Sequence, residues 1–261
     1  MGRMTDAGSP ATALVSGASG ALGGAVTDAF LAAGLHVLGL DLAPAPRPGR
    51  PSYRHVLVDL RDEGAVESAL RDGLDALPPL THIASVAGGA LPGEPAAAAA
   101  DDLGSIDGDL FRRSIDANLT SQWLLTRGAL RYLGDRVDID RSITLTSSLN
   151  GLSAWGMPAY SAAKAGVHGL MYGLVDPLGR RGIRVNVVAP GTARTPRTEA
   201  LWAGSPGHFE RLEAGTAVGR LATSAEVAEV YLALALRLRH VTGQILIVDG
   251  GQSVIHRSPA G

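Results

Sequence analysis

The chain has 261 residues, 46% of them hydrophobic, and a formal net charge of −2: enough for one large core, and short for two full domains. Its basic residues are scattered, which gives no electrostatic footprint for nucleic acid or an anionic membrane, so a small molecule is the expected partner. With no cysteine, the chain has no disulfide framework, no thiolate metal site and no cysteine nucleophile.

Met1 to Pro10 lacks an apolar signal core and no run approaches ~18 apolar residues, so the expected location is cytoplasmic. Residues 1–10 read as a flexible N-terminus, 11–255 as one domain and 256–261 as a tail. From Ala11 to Ser16 a short apolar stretch predicts a strand, glycines follow, Ala21 to Ala33 has a helical pattern, and Leu35 to Leu40 predicts a second strand. That is a βαβ unit. Further strands are predicted at Tyr53 to Val58, Ile83 to Val86, Ser142 to Thr146, Arg184 to Val188 and Gln244 to Val248, with helical patterns between most of them. The alternation argues for an α/β fold: a doubly wound parallel sheet of the Rossmann type with helices on both faces.

Two segments interrupt the pattern. Pro44 to Pro51 holds four prolines, so the crossover there is expected to be a loop. Residues 88–108, with Pro92, Pro95 and the run Ala96 to Ala100, read as an inserted loop or arm.

Between the first strand and helix lies Ser16-Gly17-Ala18-Ser19-Gly20-Ala21-Leu22-Gly23. Glycines there let the backbone approach a pyrophosphate, which free N–H groups at a helix N-terminus favour, although many such turns need glycine for conformation alone. Asp41 ends the second strand 18 residues after Gly23, where a carboxylate can accept from ribose hydroxyls and repel a 2′-phosphate. The pattern favours NAD over NADP, while Arg47 and Arg50 nearby pull toward the phosphorylated form.

Tyr160 and Lys164 stand four residues apart, so on a helix their side chains share one face. A fixed ammonium favours the phenolate and is expected to lower the tyrosine pKa from about 10, making Tyr160 a general acid/base. Any amphipathic helix can carry this pair by chance, and context decides. The seven histidines are dispersed without ligand spacing, so no metal is expected.

Together these residues resemble the short-chain dehydrogenase/reductase family in its compact type, similar to acyl-carrier-protein ketoreductases and to sugar or sterol dehydrogenases. The resemblance covers about residues 11 to 252. Its landmarks are the glycine turn, Asp59-Leu60, Ala87-Gly88, Asn118, Ser147-Ser148, Tyr160 with Lys164, Pro190-Gly191 and the closing Val248-Asp249-Gly250-Gly251, in that order. It implies that Tyr160 passes a proton to or from the substrate oxygen and that Lys164 holds the nicotinamide ribose. Ser148 would hydrogen-bond the same substrate oxygen, and Asn118 would fix a water that relays protons from Lys164. It further implies that Gly17, Ser19, Gly20, Ala21, Leu22, Gly23 and Asp41 hold the dinucleotide. Asp59 and Leu60 would flank the adenine, Ala87, Gly88, Pro190 and Gly191 would line the cofactor, and Thr195 would bind the carboxamide. The resemblance implies a homotetramer or homodimer, pairing through the helices of Asn118 and Tyr160 and through the C-terminal strand.

The chain departs from the usual compact pattern at several points. Ser16 replaces a threonine and Ala21 a glycine; the Ala21 methyl is expected to crowd the pyrophosphate slightly, with Gly20 supplying conformational freedom. Ser85-Val86 replaces two asparagines, which puts the anchoring of the fourth strand in question. Ser148 lies 12 residues before Tyr160, so Ser147 remains a second candidate for the catalytic serine. Asp176-Pro177 is expected to end or kink the helix that starts at Ser161.

The substrate wall is expected from Leu149, Asn150, Leu152, Trp155 and Met157, with Trp202, His208 and Phe209 as a lid. A cyclic or partly apolar alcohol oxidised with NAD is the favoured reading. The competing readings are an NADPH-dependent 3-oxoacyl or polyketide reductase, a non-catalytic nucleotide-binding relative, and a dehydratase or epimerase.

Overall fold

A computed structural model describes residues 10–44, 49–95, 102–135, 138–153 and 156–255. Arg47, Trp155, the run Ala96 to Ala100, nearly all of residues 1–10 and the tail 256–261 lie outside the described residues. Seven strands form one sheet: β1 Thr12–Ser16, β2 His36–Asp41, β3 Tyr53–Leu57, β4 Leu80–Ser85, β5 Arg141–Thr146, β6 Ile183–Pro190 and β7 Ile245–Val248. Their order is β3-β2-β1-β4-β5-β6-β7 and every pair is parallel. The chain turns back across the sheet between β1 and β4, and the crevice beyond the carboxyl ends of these strands is where such sheets bind ligands.

Both faces are covered. On one, α1 (Ala21–Ala32) packs with α8 (Ser224–Leu236) over Val15, Val37, Ala84 and Val188, with Phe30 and Tyr231 buried in the layer. On the other, α2 (Glu63–Leu74), α4 (Ser121–Leu133) and α5 (Pro158–Gly179) cover Leu14, Leu38, Ile83, Ile143 and Val185. Strands buried on both sides account for the continuous apolar runs seen in the sequence. Among the described residues no helix is long and apolar enough to cross a membrane.

The β2–β3 crossover shows no helix among its described residues, as the prolines there require. The helix bearing Tyr160 differs from expectation: it begins at Pro158, which suits a first-turn position, and runs through Pro177 to Gly179. Proline in the last turn forfeits its bond to the Gly173 carbonyl and little else, because the helix ends two residues later. The question over β4 is answered by Ser16, whose Oγ accepts from the amides of Val86 at 2.9 Å and Ala87 at 3.0 Å. One hydroxyl thereby ties the end of β4 to β1.

Between α3 (Gly108–Ile115) and α4, residues Asp116–Thr120 form a π-helical turn with Asn118 in its middle. Such turns recur at functional sites, and no 3.6-residue pattern reveals them in advance. The arm after Gly88 is anchored at Glu94, whose fully buried carboxylate accepts from Leu91 N at 2.6 Å and Ser114 Oγ at 3.1 Å.

Candidate active site

The loop after β1 places Gly17 at φ +68, a left-handed conformation that glycine adopts without strain. Gly20 has an ordinary φ of −74, so the expected conformational freedom resides at Gly17 and not at Gly20. A Cβ on Gly23 would sit 2.0 Å from the Gly17 carbonyl oxygen, so the helix starts this close to the turn only because residue 23 has no side chain. Gly20 caps α1 without a side-chain bond and no acid occupies its first turn. The amides of Ala21, Leu22 and Gly23 therefore face the crevice unpartnered among the described residues, which is the donor set that an anionic phosphate needs.

These residues wall a cavity of about 800 Å³ that also touches Asp41, Asp59, Leu60, Ala87, Gly88 and Thr195. Asp41 Oδ2 accepts from Ser19 N at 2.9 Å and Oδ1 from Ala43 N at 3.0 Å, which holds the carboxylate at the cavity wall with acceptor capacity to spare. Ala21 is exposed on the same wall. Arg61 also lines this cavity, but it grips Asp59 at 2.6 Å and so keeps that carboxyl below its ordinary pKa. Arg50 is exposed and outside the cavity lining.

A smaller cavity of about 250 Å³ adjoins the first, and Leu22, Val86, Gly88, Gly89, Thr195 and Arg197 line both. It contains Ser147, Ser148, Asn150, Tyr160, Lys164, Pro190, Gly191 and Trp202. Tyr160 sits in the first turn of α5, which begins after Met157 at φ +51, a strained position for a residue with a side chain. Lys164, one turn on, is 2% exposed, and its Nζ lies 5.7 Å from the Tyr160 ring centre and donates to the Thr146 carbonyl at 2.9 Å.

Burial pushes the Tyr160 phenol up, opposed by its hydrogen bond to Ser148 and by the Arg197 charge, while the Glu94 charge adds to the rise. The expected lowering by Lys164 is therefore corrected: burial lowers Lys164 itself from 10.5 to about 7, assisted by repulsion from Arg197. Burial disfavours the charged form of Lys164, so it supports the phenolate less than a solvated ammonium would.

Ser148 bonds Tyr160 and also accepts from Asn150 N at 3.3 Å. Ser147 points away: its Oγ donates to the Lys164 carbonyl at 2.8 Å and lies 2.8 Å from His168 Nε2. Of the two candidate serines, Ser148 is the one in contact with Tyr160. Asn118, fully buried, accepts from Gly89 N at 2.7 Å and donates to the carbonyls of Gly89 and Ser114. Gly88, at φ +136, is where this asparagine meets the lysine: a Cβ there would lie 2.6 Å from Asn118 Oδ1 and 3.4 Å from Lys164 Nζ.

Three supporting residues escape a motif reading. Gln122 donates to the carbonyls of Asn118 at 2.8 Å and Thr146 at 2.9 Å and accepts from Thr146 N, joining the asparagine's helix to the strand beneath Lys164. Its i+4 spacing from Asn118 was the available signal. Glu94 fixes Ser114, which in turn accepts from Asn118. Arg197, at the cavity mouth, had no sequence signal beyond its place after Thr195.

Leu149, Met157 and Trp202 line the smaller cavity, whereas Leu152 is 38% exposed and does not. Trp202 stacks on His208 at 3.9 Å between ring centres, and Phe209 is buried behind them. His208 and Phe209 thus back the wall that Trp202 presents. Among the described residues no three His, Cys, Asp or Glu side chains form a metal-ligating cluster.

A family model described as enoyl-(acyl carrier protein) reductase matches residues 17–253. The chain is 31% identical to cis-4-hydroxycyclohexanecarboxylate dehydrogenase of Sinomonas cyclohexanicum, covering 97% of this chain and 100% of that protein. It is 28% identical to the 3-oxoacyl-[acyl-carrier-protein] reductase of Salmonella typhimurium, covering 93% and 97%. A crystal structure of a short-chain dehydrogenase/reductase family oxidoreductase from Burkholderia thailandensis superposes with a TM-score of 0.83 at 34% identity, covering 94% of each chain. Fold, glycine turn and relatives agree: the chain belongs to the short-chain dehydrogenase/reductase family, oxidoreductases that use a nicotinamide cofactor on alcohol and carbonyl groups.

Proposed function

We propose that the protein is an NAD-dependent dehydrogenase that oxidises a secondary alcohol on a cyclic or partly apolar small molecule. The observation that carries this reading is the meeting of two cavities at Gly88 and Gly89, with Lys164, Tyr160 and Ser148 lining the smaller one and Asn118 close against Gly88. The uncapped amides of α1 and the Asp41 carboxylate fit the phosphate and ribose of a dinucleotide. When bound, the nicotinamide supplies the hydride acceptor.

The chain's own residues handle the proton. Ser148 and Tyr160 hydrogen-bond the substrate hydroxyl, and Tyr160 Oη accepts its proton as the carbon loses hydride, while the phenol passes its own proton on toward the uncharged form of Lys164. Lys164 holds the nicotinamide ribose and, with its pKa near neutrality, exchanges protons readily, while Asn118 keeps Gly89 and the π-helical turn in place around a relaying water. Leu149, Met157 and Trp202 exclude solvent from the substrate's apolar body. The Sinomonas relative, named for a ring alcohol, supports a substrate of this kind.

Asp41 supports NAD because its charge repels a 2′-phosphate, and Arg61, in the same cavity lining, is already paired with Asp59. A paired fluorescence titration with NADH and NADPH tests this: NADH should bind tighter by about tenfold or more, the effect of one close charge repulsion. Tighter NADPH would move the reductive reading, supported by the Salmonella relative, to first place.

The protein is further proposed to form a homotetramer or homodimer through α3, α4 and α5, which expose Phe111, Trp123 and Tyr172. Native mass measurement at micromolar concentration tests this; a monomer contradicts it.

A further inference from the structure

We propose that Arg197 selects an anionic substrate, a compact hydroxy acid whose carboxylate it binds at the mouth of the smaller cavity. This rests on the hydride-transfer reading above and adds the substrate's charge to it.

The smaller cavity is lined by apolar side chains and neutral polar groups, with Lys164 and Arg197 its cationic members and no acidic residue in its described lining. A neutral alcohol with a ring or aliphatic body would need no such cation. Lys164 is buried and committed to Thr146, which leaves Arg197 as the charge that a ligand entering from solvent meets.

Arg197 is held in place from both sides. Its helix, α6 (Pro196–Leu201), is pinned by reciprocal bonds between Thr195 and Thr198, and Thr198 also donates to the Ala193 carbonyl at 2.8 Å. Across the cavity mouth the guanidinium lies over Gly89, where a Cβ would come within 3.0 Å of its Cζ and Nη2. Nη2 donates to the Ala90 carbonyl at 2.8 Å. Among the described residues no carboxylate stands within ion-pair distance of Arg197, in contrast to its neighbour Arg194, which pairs with Glu199 at 3.1 Å. Among the described residues the Ala90 carbonyl is the one hydrogen-bond acceptor of this guanidinium, which leaves donors in the fork geometry that suits a carboxylate.

Arg197 also lines the larger cavity, so a cofactor phosphate is the competing occupant. Its position argues against that role. It lines the smaller cavity together with Tyr160 and Lys164, whereas Ala21 and Gly23, whose amides suit a phosphate, line only the larger one.

The test is calorimetric titration of cyclohexanecarboxylate and cyclohexanecarboxamide into the protein, alone and saturated with NADH. Neither probe carries a hydroxyl, so binding is read without turnover. Wild type should hold the acid about tenfold or more tighter than the amide, the ordinary yield of a charge-assisted pair. Arg197→Met should abolish that preference, Arg197→Lys should keep part of it, and both should bind NADH within about twofold of wild type. Equal binding of acid and amide by wild type would overturn the proposal, as would Arg197→Met weakening NADH itself by the same factor. Failure of the wild type to bind NADH would sink the hydride-transfer reading instead, and the acid-against-amide comparison without cofactor would still decide Arg197.

Discussion

Lys164 Nζ donates to the Thr146 carbonyl at 2.9 Å from a position only 2% exposed, so the amine is held inside the protein at the carboxyl end of β5. Burial, with help from Arg197, lowers its pKa from 10.5 to about 7.

The sign of the resulting pH dependence follows. Between pH 7 and 10.5 the unfolded chain keeps the proton that the folded chain has lost, so folding stability rises with pH across that window. The slope is at most about 1.4 kcal/mol per pH unit for one group. Denaturant unfolding of the cofactor-free protein from pH 7 to 9 should show this rise, and Lys164→Met should flatten it. An unchanged slope in the variant would remove Lys164 as its source.

A second titration acts on the acid side. Burial lowers His82 from 6.5 to about 4, and its Nδ1 lies 3.0 Å from Ser142 Oγ. Below pH 6.5 the unfolded histidine takes a proton that the folded one refuses, so stability falls as pH drops from 6.5 toward 4. His82→Gln should reduce that loss when unfolding midpoints at pH 7 and 5 are compared, and an undiminished loss would assign it to other groups.

The two adjacent serines should separate cleanly. Ser148→Ala removes the hydroxyl bonded to Tyr160 and should lower turnover by about 10²-fold or more while the unfolding midpoint holds. Ser147→Ala strips a buried bond from the Lys164 carbonyl and should cost about 1–3 kcal/mol of stability first. The reverse pattern in kcat and midpoint would exchange their roles.

Gly23→Ala would force a methyl to within 2.0 Å of the Gly17 carbonyl oxygen. Backbone must shift to admit it, so the uncapped end of α1 moves and NADH affinity should fall by about tenfold or more. Affinity equal to wild type would show that the turn does not hold the cofactor.

What could be read in the sequence was local. The Gly17 to Gly23 turn, Asp41 and the four-residue step from Tyr160 to Lys164 depend on nearest neighbours along the chain, and the structure brings them to one crevice. The parallel sheet followed from the alternation of strand and helix patterns, and the lack of a helix among the described residues between β2 and β3 from the prolines there. The direction of the Tyr160 shift was not legible, because it depends on how much solvent reaches Lys164, and burial is a property of the whole packed layer. The choice between Ser147 and Ser148 turns on which way a loop leaves β5. Arg197 and Glu94 act across 107 and 20 residues of chain, onto the Ala90 carbonyl and Ser114 Oγ, and no spacing rule links residues at such separations.

The central claim is that Tyr160 moves the proton in a site assembled for nicotinamide. The most direct measurement compares wild type with Tyr160→Phe in two assays: fluorescence titration with NADH, and NAD reduction at 340 nm, an absorbance set by the nicotinamide ring, with a ring alcohol such as 4-hydroxycyclohexanecarboxylate. Only the titrating oxygen is lost, so NADH affinity should stay within about twofold while turnover falls by about 10³-fold or more. Turnover retained by Tyr160→Phe, with NADH still bound, would contradict the account.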